Sequence, residues 1–328
     1  MATRILKTVR SDGKGDYSTL NAAVVGQAQN LVTADSYLDI VINNDFSDTI
    51  GINITGYTTD ETRYISISTN LAIRNTTAKW NSSKYILSYT TGTSWLGAIQ
   101  INEEYVRIIG LQISIPYQAS VNKVGINIKS VSVANKIYVE ECMIKGTNMP
   151  VYNCQCIRAE DTDTNLYVKN TYVFDAGPAS SSGGVVSFGN AYVSNCGIYN
   201  STYGYAQITA GKTFTGKNCF VSSVTPGNGF VQLAGTLSLN YCSSSDATTD
   251  DFGGDGNIVN QTFTFNDISN FDFKLSDTDT GARLKGADLS NDTSYPITTD
   301  ITGKTRNGKW DIGPYQNVSA KYVMMLKN

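Results

Sequence analysis

The chain has 328 residues, 25 basic and 28 acidic, with a net charge of −3 and an isoelectric point near 5.1, so it carries no basic footprint for nucleic acid. Charged residues make up only 16%, below the roughly 25% of average domains. Histidine is absent, which excludes Ser-His-Asp and Cys-His catalysis and every His-ligated metal. No run of about 18 apolar residues is present, so no span across a membrane is expected.

In chain order, the opening stretch MATRILKTVRSDGKGDYSTL lacks an apolar h-region and a small-residue cleavage site. It predicts a chain that does not take the usual secretory route and could reach the exterior inside a phage particle released by lysis. Next, Leu20, Ala23, Val24, Ala28 and Leu31 recur at helical spacing. They predict a short amphipathic helix acting as a lid within a cap over residues 1–35.

Beyond the cap, one frame recurs from Val106, Ile137, Leu166, Ala191, Phe214 and Leu237, at intervals of 31, 29, 25, 23 and 23 residues. Such intervals signal a solenoid. Two residues on come Ile108, Val139, Val168, Val193, Gly216 and Leu239, the alternation that puts both positions on one strand face. A corner follows at Gly110, Glu141, Asn170, Asn195, Asn218 and Tyr241, then Leu111, Cys142, Thr171, Cys196, Cys219 and Cys242 turn inward. LAIRNTTA, from Leu71, fits the same frame with Asn75 at the corner.

Short strand-like segments (YISIS, AIQIN, VGINIK, CQCIRA, VVSFG, YAQITA, FVQLAG) precede the repeats. Two or three strands per coil describe an all-β, single-stranded parallel β-helix of roughly eight to ten coils over residues 36–275, with neighbouring coils about 4.8 Å apart. Asn170, Asn195 and Asn218 would then form an amide ladder, each bonding the next coil's turn.

Residues 276–328 form an irregular C-terminal cap and tail. The apolar tail KYVMMLKN packs over the last coil or docks on another chain. The six cysteines do not read as a disulfide framework. Cys142 and Cys196 lie two coils apart, about 9.6 Å, and Cys196, Cys219 and Cys242 occupy successive coils with parallel side chains, which reads as stacked free thiols. Cys154 and Cys156 share one strand face.

Two terminal stretches carry a resemblance. VRSDGKGDYSTLNAAV (Val9 to Val24) is similar to the opening of many right-handed parallel β-helix proteins of the pectate-lyase-like superfamily. FKLSDTDTGARLKGADLS with TTDITGKTRNGKWDIGPYQ resembles the closing segment of secreted and phage-encoded members. The resemblance implies a right-handed coil and covers nearly the whole length, but its motifs specify fold, not activity. The DFIFG and LGRPW motifs of pectin methylesterases and their G-x-Y-x-E opening are missing, as is the histidine of polygalacturonases; the clustered calcium-binding Asp residues of pectate lyases are not evident.

The outward positions carry the candidate sites. Arg107, Tyr138, Tyr167 and Tyr192 lie between the inward residues, and Tyr172 and Phe220 lie on the next flank with Gln112 and Met143. These aromatics either stabilise stacked strands or offer platforms to sugar rings or a neighbouring subunit. Glu140 beside Lys169 predicts a surface ion pair. Arg158, Glu160, Asp161 and Asp163 form the alternative catalytic cluster, since two carboxylates about 5 to 9 Å apart can hydrolyse a glycosidic bond. The Gly-rich loop with Asp246, Asp250, Asp251 and Asp255 is an alternative calcium site without EF-hand spacing. Asp12, Asp16, Asp300 and Asp311 read as turn caps.

The expectation is a structural phage virion protein (capsid decoration, fibre or spike component) that binds other virion proteins, copies of itself or bacterial surface polysaccharide. It has no cofactor and no nucleic-acid or membrane partner. The alternatives are a tailspike-type polysaccharide lyase or glycoside hydrolase, and a secreted carbohydrate-binding adhesin.

Overall fold

Ile137, Val139, Leu166, Val168, Ala191 and Val193 alternate with polar neighbours, and all six are fully buried. Burying each large aliphatic side chain is worth about 1.5–3 kcal/mol, so the alternation sets which way every strand faces. The computed structural model describes residues 2–75, 77–90, 93–129, 135–148 and 151–317, and the tail Lys321 to Asn328 therefore lies outside the described residues.

The first face of the coil is a sheet of nine strands: Thr3–Val9, Ser36–Ile42, Ile65–Thr69, Val106–Ile109, Ile137–Glu140, Asn165–Lys169, Asn190–Ser194, Thr213–Lys217 and Thr236–Asn240. They stack in chain order, and all pairs are parallel. Val106 pairs with Ile137, Ile137 with Leu166, Leu166 with Ala191, Ala191 with Phe214, and Phe214 with Leu237. Parallel neighbours consecutive in sequence require the chain to travel once around between them, so this is a parallel β-helix. A second sheet of thirteen strands supplies the other two faces, which join where Gly197–Gln207 runs through a corner.

The first corner has a backbone cause. Gly110, Glu141, Asn170, Asn195, Asn218 and Tyr241 all adopt left-handed φ angles between 48° and 70°. A Cβ in that region costs roughly 1–2 kcal/mol, and Asn and Gly tolerate it best. At Gly110 space matters too, because a Cβ would lie 2.3 Å from Arg74 Nε, where the guanidinium crosses to Glu141.

The expected amide ladder at this corner is only partly made. Asn218 Nδ2 donates to Asn195 Oδ1 at 3.0 Å, but Asn170 Nδ2 donates to Thr299 O at 2.9 Å. A longer ladder stands where the first-face strands begin. Asn135 Oδ1 accepts from Asn165 N at 3.1 Å, Asn190 Nδ2 donates to Asn165 Oδ1 at 3.2 Å, and Asn190 Oδ1 accepts from Thr213 N at 3.0 Å.

One coil differs from expectation. The rung beside Val106 is Ile65–Thr69, not the stretch from Leu71. Ile65 and Ile67 point inward with no exposure, whereas Leu71 is 73% exposed because residues 70–74 close a turn on Asn70 O. Asn75 is no corner residue. Its Nδ2 bonds Gln112 Oε1 at 2.9 Å.

The six cysteines are free and buried. Cys196, Cys219 and Cys242 sit one above another, each bracketed by paired rungs (Ser194, Lys217, Asn240 before; Gly197, Phe220, Ser243 after). Burial pushes the Cys142 thiol up to about 12, so it behaves as a small apolar side chain.

The helix Leu20–Gly26 closes the top of the coil with Leu20, Ala23 and Val24 buried, and Thr19 Oγ1 caps it by accepting from Ala22 N. Ala28 falls beyond its end and is exposed. At the other end the loop after Ser244 crosses the last rung, with Phe252 against the main core.

Among the described residues, the C-terminal segment runs back along the second flank as a strap, with a hairpin of Phe265–Asp267 and Asp272–Leu275. Phe273, Leu275, Ile301 and Ile312 form a second apolar core with Met143, Tyr172, Phe174 and Phe220 of the coil. Trp80 N donates to Phe271 O at 3.1 Å, so the strap reaches back to the loop after the third first-face strand.

The strap's pairing of Lys217 with Asp292 makes it acid-sensitive. Burial pushes the Asp292 carboxyl up, but the Lys217 hydrogen bond and the Tyr295 and Ser294 amides outweigh it, and the net value lies below the ordinary 3.8. A depressed folded value gives stability that is present above the unfolded pKa and lost as pH falls through the folded one. Asp311 has the opposite sign, because burial raises it. Amide protection around Asp292, corrected for the intrinsic pH dependence of exchange, is therefore expected to fall as pH drops below 3.8, and the change to shrink in Lys217→Met. Equal acid sensitivity in both proteins would remove this latch from the account.

Candidate functional site

Three surfaces outside the coil gather chemistry-bearing side chains. On the first face Tyr37 stacks on Tyr64 at 5.1 Å, and Arg107 lies between Tyr64 and Tyr138, 4.4 and 4.8 Å from the ring centres. Tyr138, Tyr167 and Tyr192 continue the column at 5.0 and 4.8 Å. Strand register brings these six together, with Arg107 diagonal to Tyr64.

The expected open flank is partly occupied. Tyr295 of the strap packs 5.6 Å from both Tyr138 and Tyr167, and its hydroxyl donates to Glu140, which also pairs with Lys169 at 3.3 Å. Desolvation raises the pKa of Tyr138, Tyr167 and Tyr295. Arg107→Ala is expected to cost about 1 kcal/mol, the worth of a cation–π contact at a half-exposed site. Urea denaturation reads it, and a change below a few tenths would show the stack to be ornamental.

Tyr172 and Phe220 require a correction. They point out of the coil, as the frame demands, but are 2% and 1% exposed beneath the strap. Tyr172 Oη donates to Phe273 O at 2.9 Å, and Phe220 lies 5.3 Å from Phe263. A second apolar layer has claimed them, so neither reaches a glycan or another subunit while the strap is docked.

The third face carries the cluster around Arg158. Strand pairing stacks Gln100, Asn127 and Arg158 on successive rungs, all facing out. The Arg158 guanidinium lies 4.5 Å from the Trp95 ring and 4.9 Å from the Phe188 ring, its Nη1 donates to Gln155 Oε1 at 2.8 Å, and its Nε is 3.6 Å from Glu160. Burial lowers its pKa against the raising effect of Glu160. Asn127 Nδ2 is shared between Trp95 O at 3.0 Å and Glu160 Oε2 at 3.1 Å.

The other two carboxylates of this cluster lie apart in role. Asp161 Oδ1 caps the turn by accepting from Asp163 N at 2.8 Å, and Asp163 is 3.5 Å from Lys212. Trp95 and Phe188 come from other coils and were missed in the sequence, since neither lies in the repeat frame.

The acidic loop serves structure. Asp246 accepts from Gly229 N, Thr248 N and Thr248 Oγ1, while Asp250, Asp251 and Asp255 are exposed. Among the described residues no group of three or more Cys, Asp and Glu side chains converges on a point that could hold a metal. Asp12 and Asp16 cap the opening turn, Asp300 and Asp311 the strap's turns, as expected.

The third surface is a cleft of about 320 Å³ between strap and coil, lined by Tyr199, Ser222, Ser223, Phe263 and Phe265 through Ile268. Aromatic walls and hydroxyls share it, but Asp267 is spent on Ser269 and Asn270.

Comparison with protein-family models, curated proteins and solved structures yields no match to this chain.

Proposed function

We propose that this chain is a structural component of a phage virion, used as a capsid decoration, fibre or spike element, and that it meets polysaccharide on the host surface. The finer placement among right-handed, pectate-lyase-like β-helices belongs to the same proposal and rests on the two terminal motifs. One observation carries the structural reading: nine first-face strands stack without a break and a strap from the far end is fastened along their flank. Such a body resists bending and unwinding, which suits a load-bearing surface element.

The carboxylates favour this over hydrolysis, because Glu160, Asp161 and Asp163 each already serve a named partner. Immunogold labelling of density-purified phage particles tests the assignment. Label on the particles is expected, and a chain that stays in the soluble lysate while unlabelled particles band below it would remove the virion reading. Incubation with capsular or pectic glycans tests the enzymatic alternative. Chain shortening that disappears in Glu160→Gln or Asp161→Asn would replace the structural reading with a catalytic one. The secreted adhesin predicts the chain on bacterial cell surfaces instead.

A further inference from the structure

We infer that the third-face slot around Gln100, Asn127 and Arg158 is a binding site for a neutral, hydroxyl-rich ligand, a saccharide unit. The inference deepens the proposed contact with host polysaccharide and depends on it for the ligand's source.

Its basis is a set of polar atoms left over. Gln100 is 4% exposed, and neither its Nε2 nor its Oε1 has a hydrogen-bond partner. Asn127 is fully buried with Oδ1 unpartnered, and Arg158 Nε is engaged only by the 3.6 Å ion pair with Glu160, beyond hydrogen-bond distance. Buried polar groups are nearly always paired, by protein or by a bound molecule. Here several orphans fall on three side chains that strand register places on consecutive rungs of the same face. Single orphaned atoms also occur at Asn170 Oδ1, Asn195 Nδ2 and Gln207 Oε1, but Gln100 is a coil amide with both of its polar atoms unpaired, and Asn127 beside it adds another.

The chemistry of the orphans selects the ligand. Two are donors (Gln100 Nε2, Arg158 Nε) and two are acceptors (Gln100 Oε1, Asn127 Oδ1). A carboxylate or phosphate would satisfy the donors and be repelled by both acceptors and by Glu160. A cation would meet the guanidinium. A hydroxyl donates and accepts at once, so a ring bearing several hydroxyls satisfies the set. Trp95 and Phe188, both half-exposed, flank the Arg158 guanidinium at 4.5 and 4.9 Å, and the C–H face of a sugar would displace or extend that contact. Because the orphans are buried, a ligand enters by parting these rings.

The test uses the full chain, titrated with oligomers of glucose, galactose and N-acetylglucosamine, and with oligogalacturonate as the acidic counterpart, followed by saturation-transfer NMR. At least one neutral series is expected to bind, with Gln100→Met and Phe188→Ala each weakening it about tenfold, the effect of losing a contact worth about one strong hydrogen bond. Gln100→Met is also expected to melt no lower than the wild type, since it removes an unpaired amide. If a neutral sugar binds but neither variant weakens it, the slot is not the site and the glycan contact lies elsewhere. If Gln100→Met melts lower and binding is unchanged, the slot holds ordered water only. Preference for oligogalacturonate would overturn the neutral chemistry. No binding in any series would overturn the site and the glycan contact together, leaving the virion assignment to the particle labelling.

Discussion

Asn218→Ala is expected to lower the unfolding free energy by about 3–7 kcal/mol. Asn218 is fully buried at a left-handed corner, φ 51°. Its Oδ1 accepts from Ala287 N at 2.8 Å, and its Nδ2 donates to Ala287 O at 2.8 Å and to Asn195 Oδ1 at 3.0 Å. Alanine would pay about 1 kcal/mol for the left-handed backbone and leave both Ala287 groups unpaired, at about 1–3 kcal/mol each. Urea denaturation with an unchanged slope reads the loss. Asn218→Gly separates the two causes, because glycine relieves the backbone strain but not the lost bonds. A glycine variant as stable as the wild type would show that the corner, not the strap, is what the amide serves.

Arg306→Met is expected to free the strap while leaving the coil folded. Arg306 is 4% exposed, with Nη2 donating to Gly313 O at 2.6 Å, Nη1 to Asp311 O at 3.2 Å and Nε to Thr299 O at 3.4 Å. Burial pulls its pKa down to about 10 against the pull of Asp300 and Asp311, so it remains a cation at neutral pH. Methionine matches the volume but strands these carbonyls and removes the counter-charge to two carboxylates, a loss of about 3–5 kcal/mol. Arg306→Lys restores the charge but not the three-way fork and should recover only part of it. Limited proteolysis followed by mass spectrometry is the readout. Cleavage within residues 276–317, with the coil from 36 to 245 resistant, is the expected pattern, and a digest indistinguishable from wild type would falsify it.

The frame from Val106 to Leu239 was legible because inward burial repeats at every rung, and repetition survives variable loops. The tyrosine column followed from the same frame. The first corner was legible as a position but not as a cause. Asn170, Asn195 and Asn218 suggested a hydrogen-bond ladder, whereas Gly110, Glu141 and Tyr241 share only their left-handed backbone. A second left-handed corner at Asp175, Asn200 and Ser223 leaves no mark in the sequence, since three different residue types meet one φ requirement.

The fate of Tyr172 and Phe220 was not legible from the repeat, because what covers them arrives about 45 to a hundred residues later and has no period. A clue did exist. Phe263, Phe265, Phe271 and Phe273 crowd the closing segment too densely for a wet cap, and their rings need somewhere dry to go. The Arg158 slot was hidden for a related reason, as its walls come from loops of unequal length on different coils.

A stack held only by nearest neighbours can peel from either end, one layer at a time, under a pulling force. The returning strap changes that response. Tension applied beyond residue 317 would be borne first by the bonds at Asn218, Asn170 and Trp80, loaded in shear side by side, before the last rung could be drawn away. The molecule should therefore yield at one high force rather than through a train of small ones.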